Sequence, residues 1–581
     1  MAASRVYSLS TFRGINLASK PEDLEVGECV DCMNVYFDRQ GEVVRRGGLR
    51  FFGVPDKTGS GVTTYGRGWV AGKIADIDGG TLRGETVLLW TESGLTTLRM
   101  ISPSYTGALY GERPVLATTM STHAGAFPLS ASSTGGYVTG STDEKKIVCA
   151  PGKLLKIVDI PTLGMSDAGA GYPKPVTVAT MPVVNVGVAA GFLGATDGPS
   201  AAVSSGSHVY FSADNDLSAW DTTDSQQCAP GDGETICASA VWGGNVFLFK
   251  QSKFFVFGGR TLDSNQVRNF DYQTVEAGVG CDWYNSAIAM PDGVYFVGKK
   301  GVYRTTGGRP ECVSEKISPF FTGFVGTDNS LFNDIKVEVM QINENAYNVT
   351  PTAASIGNNV RIYNVEERLY VTDEITGYTF CYDTAVGSWT LLNYTGRFQL
   401  DIDSVYGSGF GLRRGMVGFA ADGRHYFYCY DEISGKILFE DRFSWGDAID
   451  TVTNSRMGQP VASWWKGGKI DTPGGADTFI KSGQLSGEGS KIFLNVNTDN
   501  TDEIVGDHKE LSSFRQTDES SPFIGRVDDV NANEISFVTG GEGRVMQLSF
   551  GSVLLSSPWR VKNVKLFGTP PKNEELASSY V

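Results

Sequence analysis

Val246-Phe247-Leu248-Phe249-Lys250, the turn Gln251-Ser252-Lys253, and then Phe255-Val256-Phe257-Gly258-Gly259 decide how this chain is read. Val246, Leu248, Phe255 and Phe257 alternate with Phe247, Phe249 and Val256, so strands of period two would be apolar on both faces. A hairpin of that kind needs cover on both sides, which a propeller blade receives from its two neighbours. Trp242, Phe247, Phe249, Phe255, Phe257, Tyr295 and Phe296 are accordingly expected in the core. Lys250 closes the first strand at a turn and is expected to be solvated.

Hairpins with the same punctuation recur along the chain. Glu85–Thr91 and Leu95–Met100 flank Glu92-Ser93-Gly94, and Lys146–Cys149 and Lys153–Val158 flank Pro151-Gly152. Gly293–Val297 and Gly301–Arg304 flank Gly298-Lys299-Lys300. Further pairs are Arg368–Thr372 with Tyr378–Tyr382, and His425–Tyr430 with Lys436–Phe439. Near the amino terminus, Val35-Tyr36-Phe37 and Glu42-Val43-Val44 face each other across Asp38–Gly41. The spacing of about 40 to 70 residues suggests propeller blades. Tyr382-Asp383 followed by Gly387-Ser388-Trp389 has the form of a kelch-like ending, with a Trp packed between blades. The repeat is irregular, so the fold class predicted is all-β, a divergent β-propeller with a small accessory β-sandwich-like domain. Stacked β-sandwiches are the alternative architecture.

Composition agrees with many short strands. The 72 glycines are about 12% of 581 residues against an average near 7%, and they fall in turns along the whole length. Length alone gives a prior of about four domain-sized units. Forty-nine basic residues against 65 acidic ones leave a net charge of −16, a balance that argues against gripping a phosphate backbone. No apolar h-region opens the chain, and the apolar stretch from Met181 to Ala195 is broken by Pro182, Gly187, Gly191 and Gly194. Neither a secretory signal nor a spanning helix is predicted. Nine scattered cysteines in such a chain are expected to be reduced thiols.

A search for chemistry returns little. Cys29-Val30-Asp31-Cys32 is the single C-x-x-C and has no second pair or paired His to complete a zinc site, so it reads as structural. His123, His208, His425 and His508 stand far apart without metal-binding spacing. Gly407-Ser408-Gly409-Phe410-Gly411 lacks the dinucleotide-binding spacing. Ser212-Ala213-Asp214-Asn215-Asp216, followed by Trp220, approximates one Asp-box turn of a sialidase, with Asp216 in the glycine place. Acidic turns at Asp76–Gly79 and Asp499–Glu503 offer oxygens to calcium without its twelve-residue ligand spacing. Catalytic, cofactor-binding and metal-binding residues are all predicted to be none. An enzyme is not expected. A carbohydrate-binding or glycoside-hydrolysing propeller is the runner-up reading.

The amino-terminal segment carries an ordered pattern of another kind: Phe12-Arg13-Gly14-Ile15-Asn16, Leu24-Glu25-Val26-Gly27-Glu28, Asn34, Gly41 and Arg45-Arg46-Gly47-Gly48. A second block runs from Ser207–Ser212 through Trp220, Gly231–Ile236, Trp242 and the hairpin quoted first, to Gly280-Cys281, Gly293–Phe296, Gly301–Tyr303 and Ser314–Ile317. In order and spacing the two blocks resemble the tail hub or nozzle proteins of short-tailed bacteriophages. That resemblance implies a structural virion protein, a homohexameric ring of about six copies in the virion tail, made in the host cytoplasm. Its implied partners are an adaptor or portal ring and tail fibre or spike proteins. Double-stranded DNA would pass through during ejection without specific binding, and no cofactor is implied. The domain expectation is a motif-bearing segment over 1–55, blades over 56–450, an accessory domain or closing blades over 451–566, and a mobile tail over 567–581.

Overall fold

The computed structural model describes residues 5–53, 206–213, 216–262, 268–283, 286–322, 367–373 and 378–393 throughout, and elsewhere between 66 and 569 chiefly the strands. The chain is all-β, and the helical elements among the described residues are a single helical turn and a short α-helix, Glu315–Ile317 and Ser318–Thr322. Its strands form six four-stranded antiparallel sheets, and four more head a ten-stranded sheet, which makes seven blades among the described residues.

In chain order, blades 1 to 6 span residues 66–124, 138–167, 175–227, 238–275, 287–312 and 360–393, and blade 7 holds the strands between 413 and 441. Each is a meander in which successive strands pair with their predecessors, as the hairpin signals require. The first strands of blades 2 to 7 lie against one another in sequence, and that of blade 7 lies against that of blade 1. This is a β-propeller with the first strands innermost.

The outermost strand of blade 7 comes from the other end of the chain. Gly48–Gly53 pairs antiparallel with Lys436–Asp441, in a register that sets Leu49 opposite Glu440 and Gly48 opposite Asp441. One blade is therefore stitched from the two ends of the chain.

Blade 4 shows how blades are held together. Val246, Leu248, Phe255 and Phe257 pack on Val209 and Phe211 of blade 3. Phe247, Phe249 and Phe254 pack on Val294 and Phe296 of blade 5, with the Phe249 and Phe296 ring centres 4.7 Å apart. The alternation read from sequence thus places both faces in a dry interior. Trp242 departs from expectation: it sits opposite Asn245 at the hairpin end and is only half-buried. Trp389, in the last strand of blade 6, fills the place expected of a kelch-like Trp, because it is buried and its Nε1 donates to the Val313 carbonyl just after blade 5, at 2.8 Å.

The accessory body is a β-sandwich drawn from both chain ends. One sheet contains Val35–Phe37, Val43–Arg45, Trp559–Thr569, Thr478–Gly489 and Asn533–Val538, with Arg5–Leu9 added along Trp559–Thr569. The other contains Cys29–Met33, Ser463–Asp471, Val545–Ser552 and Lys491–Thr498. Leu485, Val561, Val564 and Leu566 of the first share a core with Leu494, Met546, Leu548 and Phe550 of the second. The second sheet continues directly out of blade 6, because Met33 pairs in parallel with Leu391. Strands of the 1–55 segment are thus divided, 5–45 to the sandwich and 48–53 to the propeller. Beyond Thr569 the tail lies outside the described residues.

Candidate functional site at the joint of propeller and sandwich

The spaced amino-terminal motif gathers into one joint. Phe12 is buried between Trp465 and Phe550 of the sandwich, with edge-to-face ring contacts at 5.1 and 5.4 Å. Two residues later the chain lies on blade 6, where Ile15 N donates to the Trp389 carbonyl at 2.8 Å. A Cβ on Gly14 would meet that same carbonyl oxygen at 2.3 Å, so only glycine lets the two backbones approach this closely. Asn16 N then donates back to Cys29, and Leu17 N donates to the Lys316 carbonyl in the helical turn between blades 5 and 6, at 2.7 Å. Six residues thereby clamp the sandwich, blade 6 and the blade 5–6 connection.

Side chains of the motif reinforce the clamp. Asn16 Nδ2 donates to Glu28 Oε2 at 2.9 Å, and the Lys316 ammonium lies 2.7 Å from Glu28 Oε1. Burial alone would raise the Glu28 carboxyl, but Lys316 and the Asn16 amide hold it below the ordinary carboxylate range. Gly27, at φ +91°, adopts a backbone that favours glycine, and a Cβ there would strike the Thr11 carbonyl. Asn34 is buried at φ 56°, a conformation Asn tolerates, and its Oδ1 accepts from Arg46 Nε at 2.9 Å. Arg46 also donates to the Gly47 carbonyl at 2.7 Å, which fixes the entry into the ring-closing strand. Phe12, Gly14, Asn16, Gly27, Glu28, Asn34 and Arg46, scattered over the motif in sequence, therefore serve one junction.

A polar seam runs along its far side. Tyr36 OH donates to Glu440 of blade 7 at 2.7 Å, lies 3.3 Å from the Tyr370 hydroxyl of blade 6, and carries the Arg368 guanidinium 4.1 Å from its ring centre. Gly47 N also donates to Glu440. Burial pushes the Tyr370 hydroxyl well above its ordinary range. The seam holds a carboxylate, a guanidinium and phenols in mutual contact. These groups already satisfy one another.

Asp31, inside the C-x-x-C, is a buried carboxyl helped by Trp464 and Lys466. It is 3% exposed, takes a hydrogen bond from Trp464 Nε1, and is pushed up to about 6 by burial. Cys29 and Cys32 beside it are free and buried, and burial also drives the Cys29 thiol well up, which suppresses thiolate chemistry. No group of three or more candidate metal ligands occurs among the described residues.

Lys250 corrects the expectation of a solvated side chain. It is fully buried, with Nζ 2.8 Å from Ser207 Oγ, 3.0 Å from the Ala229 carbonyl and 2.9 Å from both Asp232 oxygens. Three of these contacts come from the blade 3–4 connection and one from Ser207, at the start of the third strand of blade 3, so the ammonium ties blade 3 and that loop to the turn of blade 4. Burial would raise the Asp232 carboxyl, yet Lys250 holds it low. Sequence showed the lysine at a strand end but not that residues 18 and 43 positions earlier return to it.

The other candidates remain apart. His208 is buried, shares a 2.9 Å contact with Gln227 and stacks on Tyr210, while burial lowers its pKa. His123 and His425 fall in strands whose side chains are not described, and His508, Asp76–Gly79 and Gly407–Gly411 lie outside the described residues. The Asp-box-like stretch is a hairpin, in which Ala213 pairs with Asp216 and Ser212 with Trp220.

No protein-family model matches this chain, and no curated protein matches its sequence. Among solved structures it is similar to PorZ, an essential surface component of the type-IX secretion system of Porphyromonas gingivalis. Identity is 10% over 73% of this chain and 43% of PorZ, with a TM-score of 0.33. It is also similar to apo AztD from Citrobacter koseri, at 10% identity over 55% of this chain and 85% of AztD, with a TM-score of 0.29. This chain thus spans less than half the length of PorZ.

Proposed function

We propose that this chain is a structural virion protein, the tail hub or nozzle subunit of a short-tailed bacteriophage, working as a homohexameric ring. PorZ and AztD are not tail proteins, and the reading rests on the chain's own residues. The observation that carries it is the joint: motif elements from Phe12 to Arg46 are joined there as one device between propeller and sandwich. A motif with that role suits a part that must transmit load between neighbours. In this reading the ring joins a portal or adaptor ring, offers its sides to fibres or spikes, and lets DNA pass. A net charge of −16 per chain favours passage over retention, since like charges repel the duplex.

Mass photometry of the purified chain tests the assembly. Six copies of 62.5 kDa should give a particle of about 375 kDa, and mass spectrometry of purified virions should find the chain at half the portal's copy number. A persistent 62.5 kDa monomer together with absence from virions would overturn the proposal.

A further inference from the structure

Cys237 and Cys281 stand at the two ends of blade 4. Cys237 directly precedes its first strand, Ala238–Trp242, and Cys281 follows its last, Arg268–Val275, on the way to blade 5. Consecutive carbonyls at one strand end hold both backbones: Cys237 N donates to Phe249 O at 2.9 Å, and Cys281 N donates to Lys250 O at 2.8 Å. Gly280 permits the second approach, because a Cβ there would meet the Lys250 oxygen at 1.9 Å. The entry and exit of the blade are thereby brought to one point.

Their side chains meet there too. Cys237 Sγ donates to the Cys281 carbonyl at 2.8 Å, and the two thiols are in contact side chain to side chain. Cys281 Sγ lies 2.8 Å from Ser286 Oγ, whose own proton goes to the Trp283 carbonyl, so both sulfurs rest as protonated donors. Both cysteines are free and buried, in an apolar cluster with Phe249, Phe254, Val294 and Phe296. Contact with Cys281, together with burial, pushes the Cys237 thiol well up, which slows attack on either sulfur by outside reagents. An unstrained disulfide needs two sulfurs already facing each other, and this contact supplies that.

We propose that Cys237 and Cys281 are a disulfide-forming pair that closes blade 4 covalently, end to end, when the chain meets a peroxide. One thiol takes an oxygen from the peroxide and becomes a sulfenic acid as water leaves; the second sulfur then attacks the first, the S–O bond breaks, and another water leaves. Two thiols and one hydrogen peroxide thus give one disulfide and two waters, the two electrons passing from sulfur to peroxide oxygen. A peroxide suits the site because it is scarcely larger than water, whereas a bulky disulfide would have to part Phe249 from Phe296. All four strands of the blade lie inside the closed loop, so the bond restrains each of them. In reducing surroundings the pair stays as thiols.

Peptide mapping tests this. The full-length chain is treated with hydrogen peroxide, its remaining thiols are alkylated under denaturing conditions, and its peptides are analysed without reduction. At least half of the molecules should carry Cys237 joined to Cys281, with the loss of two hydrogens. Cys228→Ser should keep this product, and Cys237→Ser should abolish it. Recovery of Cys281 alkylated or as a sulfinic acid would overturn the proposal, as would a product that Cys228→Ser removes or Cys237→Ser retains. Amide hydrogen exchange supplies a second measurement, since Phe254–Leu262 should exchange several-fold more slowly in the oxidised chain than in the same sample reduced with dithiothreitol. Equal exchange in the two would overturn the closing role.

Discussion

Blade 4 and the motif joint are both buried, yet they bury different things. Between blades 3, 4 and 5 the contacts are phenylalanine, valine and leucine faces, where any apolar residue of about the right size keeps most of the stabilisation. At the joint, backbones approach until Gly14 touches Trp389, and an asparagine, a glutamate and two glycines each occupy a place that few other residues could fill. Apolar area holds the ring; individual geometries hold the sandwich to it. The two regions should therefore fail differently under substitution.

The largest effect belongs to the blade interface. Phe255→Ala removes a fully buried ring from the blade 3–4 interior and should cost about 3–5 kcal/mol, while Phe255→Leu should keep most of that. Chemical denaturation of the variants measures both. If the two substitutions cost the same, the interface is keyed by shape after all.

A comparable loss is expected where blade 4 departs from its own rule. Asp232→Ala leaves the Lys250 ammonium buried without its carboxylate and should cost about 3–5 kcal/mol. Lys250→Met should cost far less, because Asp232 keeps Lys253 at 3.3 Å and some access to water. A reversed ranking would mean that the lysine stem, rather than the ion pair, holds the loop.

Asp31 gives the joint a pH signature. Its folded-state pKa of about 6 lies above the ordinary 3.8, so the folded protein binds this proton more tightly than the unfolded chain. The contribution is fully favourable below about pH 4 and is lost as pH rises through 6, a swing of about 3 kcal/mol at 1.36 per pH unit. Asp31→Asn should remove that slope between pH 4 and 6 and raise the melting temperature at neutral pH. An unchanged slope would show that Lys466 and Trp464 already neutralise the carboxylate.

Gly14→Ala should cost about 1–3 kcal/mol or more, since its Cβ would meet the Trp389 backbone at 2.3 and 2.6 Å and the segment must move off blade 6. Its character should differ from the others, with the sandwich released before the propeller melts. Calorimetry would then resolve two transitions where the wild type has one. A single transition, merely shifted, would mean that the joint and the ring unfold as one unit.

Much of the propeller was legible because its pairings are local. The turns at Gly298-Lys299-Lys300 and around Glu92-Ser93-Gly94 announce hairpins whose partners are a few residues away, and Trp389 carries a recognisable ending. An accessory β-sandwich was expected, but the closing strand and the amino-terminal share of that sandwich were not legible, because Gly48 must find Asp441 and Val43 must find Val561. No periodicity encodes a partner hundreds of residues distant. Trp242 and Lys250 failed for a related reason. Their strands were read correctly, but exposure was decided at the ends, by the open hairpin tip in one case and by Ser207 and Asp232 in the other. The motif itself was visible as a pattern, whereas its meaning needed the contact of Gly14 with blade 6.

The stitched seventh blade also sets a schedule for synthesis. Gly48–Gly53 emerges early, but its partner Lys436–Asp441 follows some 380 residues later, about 20–80 s at 5–20 residues per second. During that interval the early strand has an unsatisfied edge, and the joint beside it lacks Trp389, Trp465 and Phe550. The nascent chain must therefore be kept from pairing with its neighbours on the polysome. Slowing translation before residue 436 should raise aggregation more than slowing it afterwards.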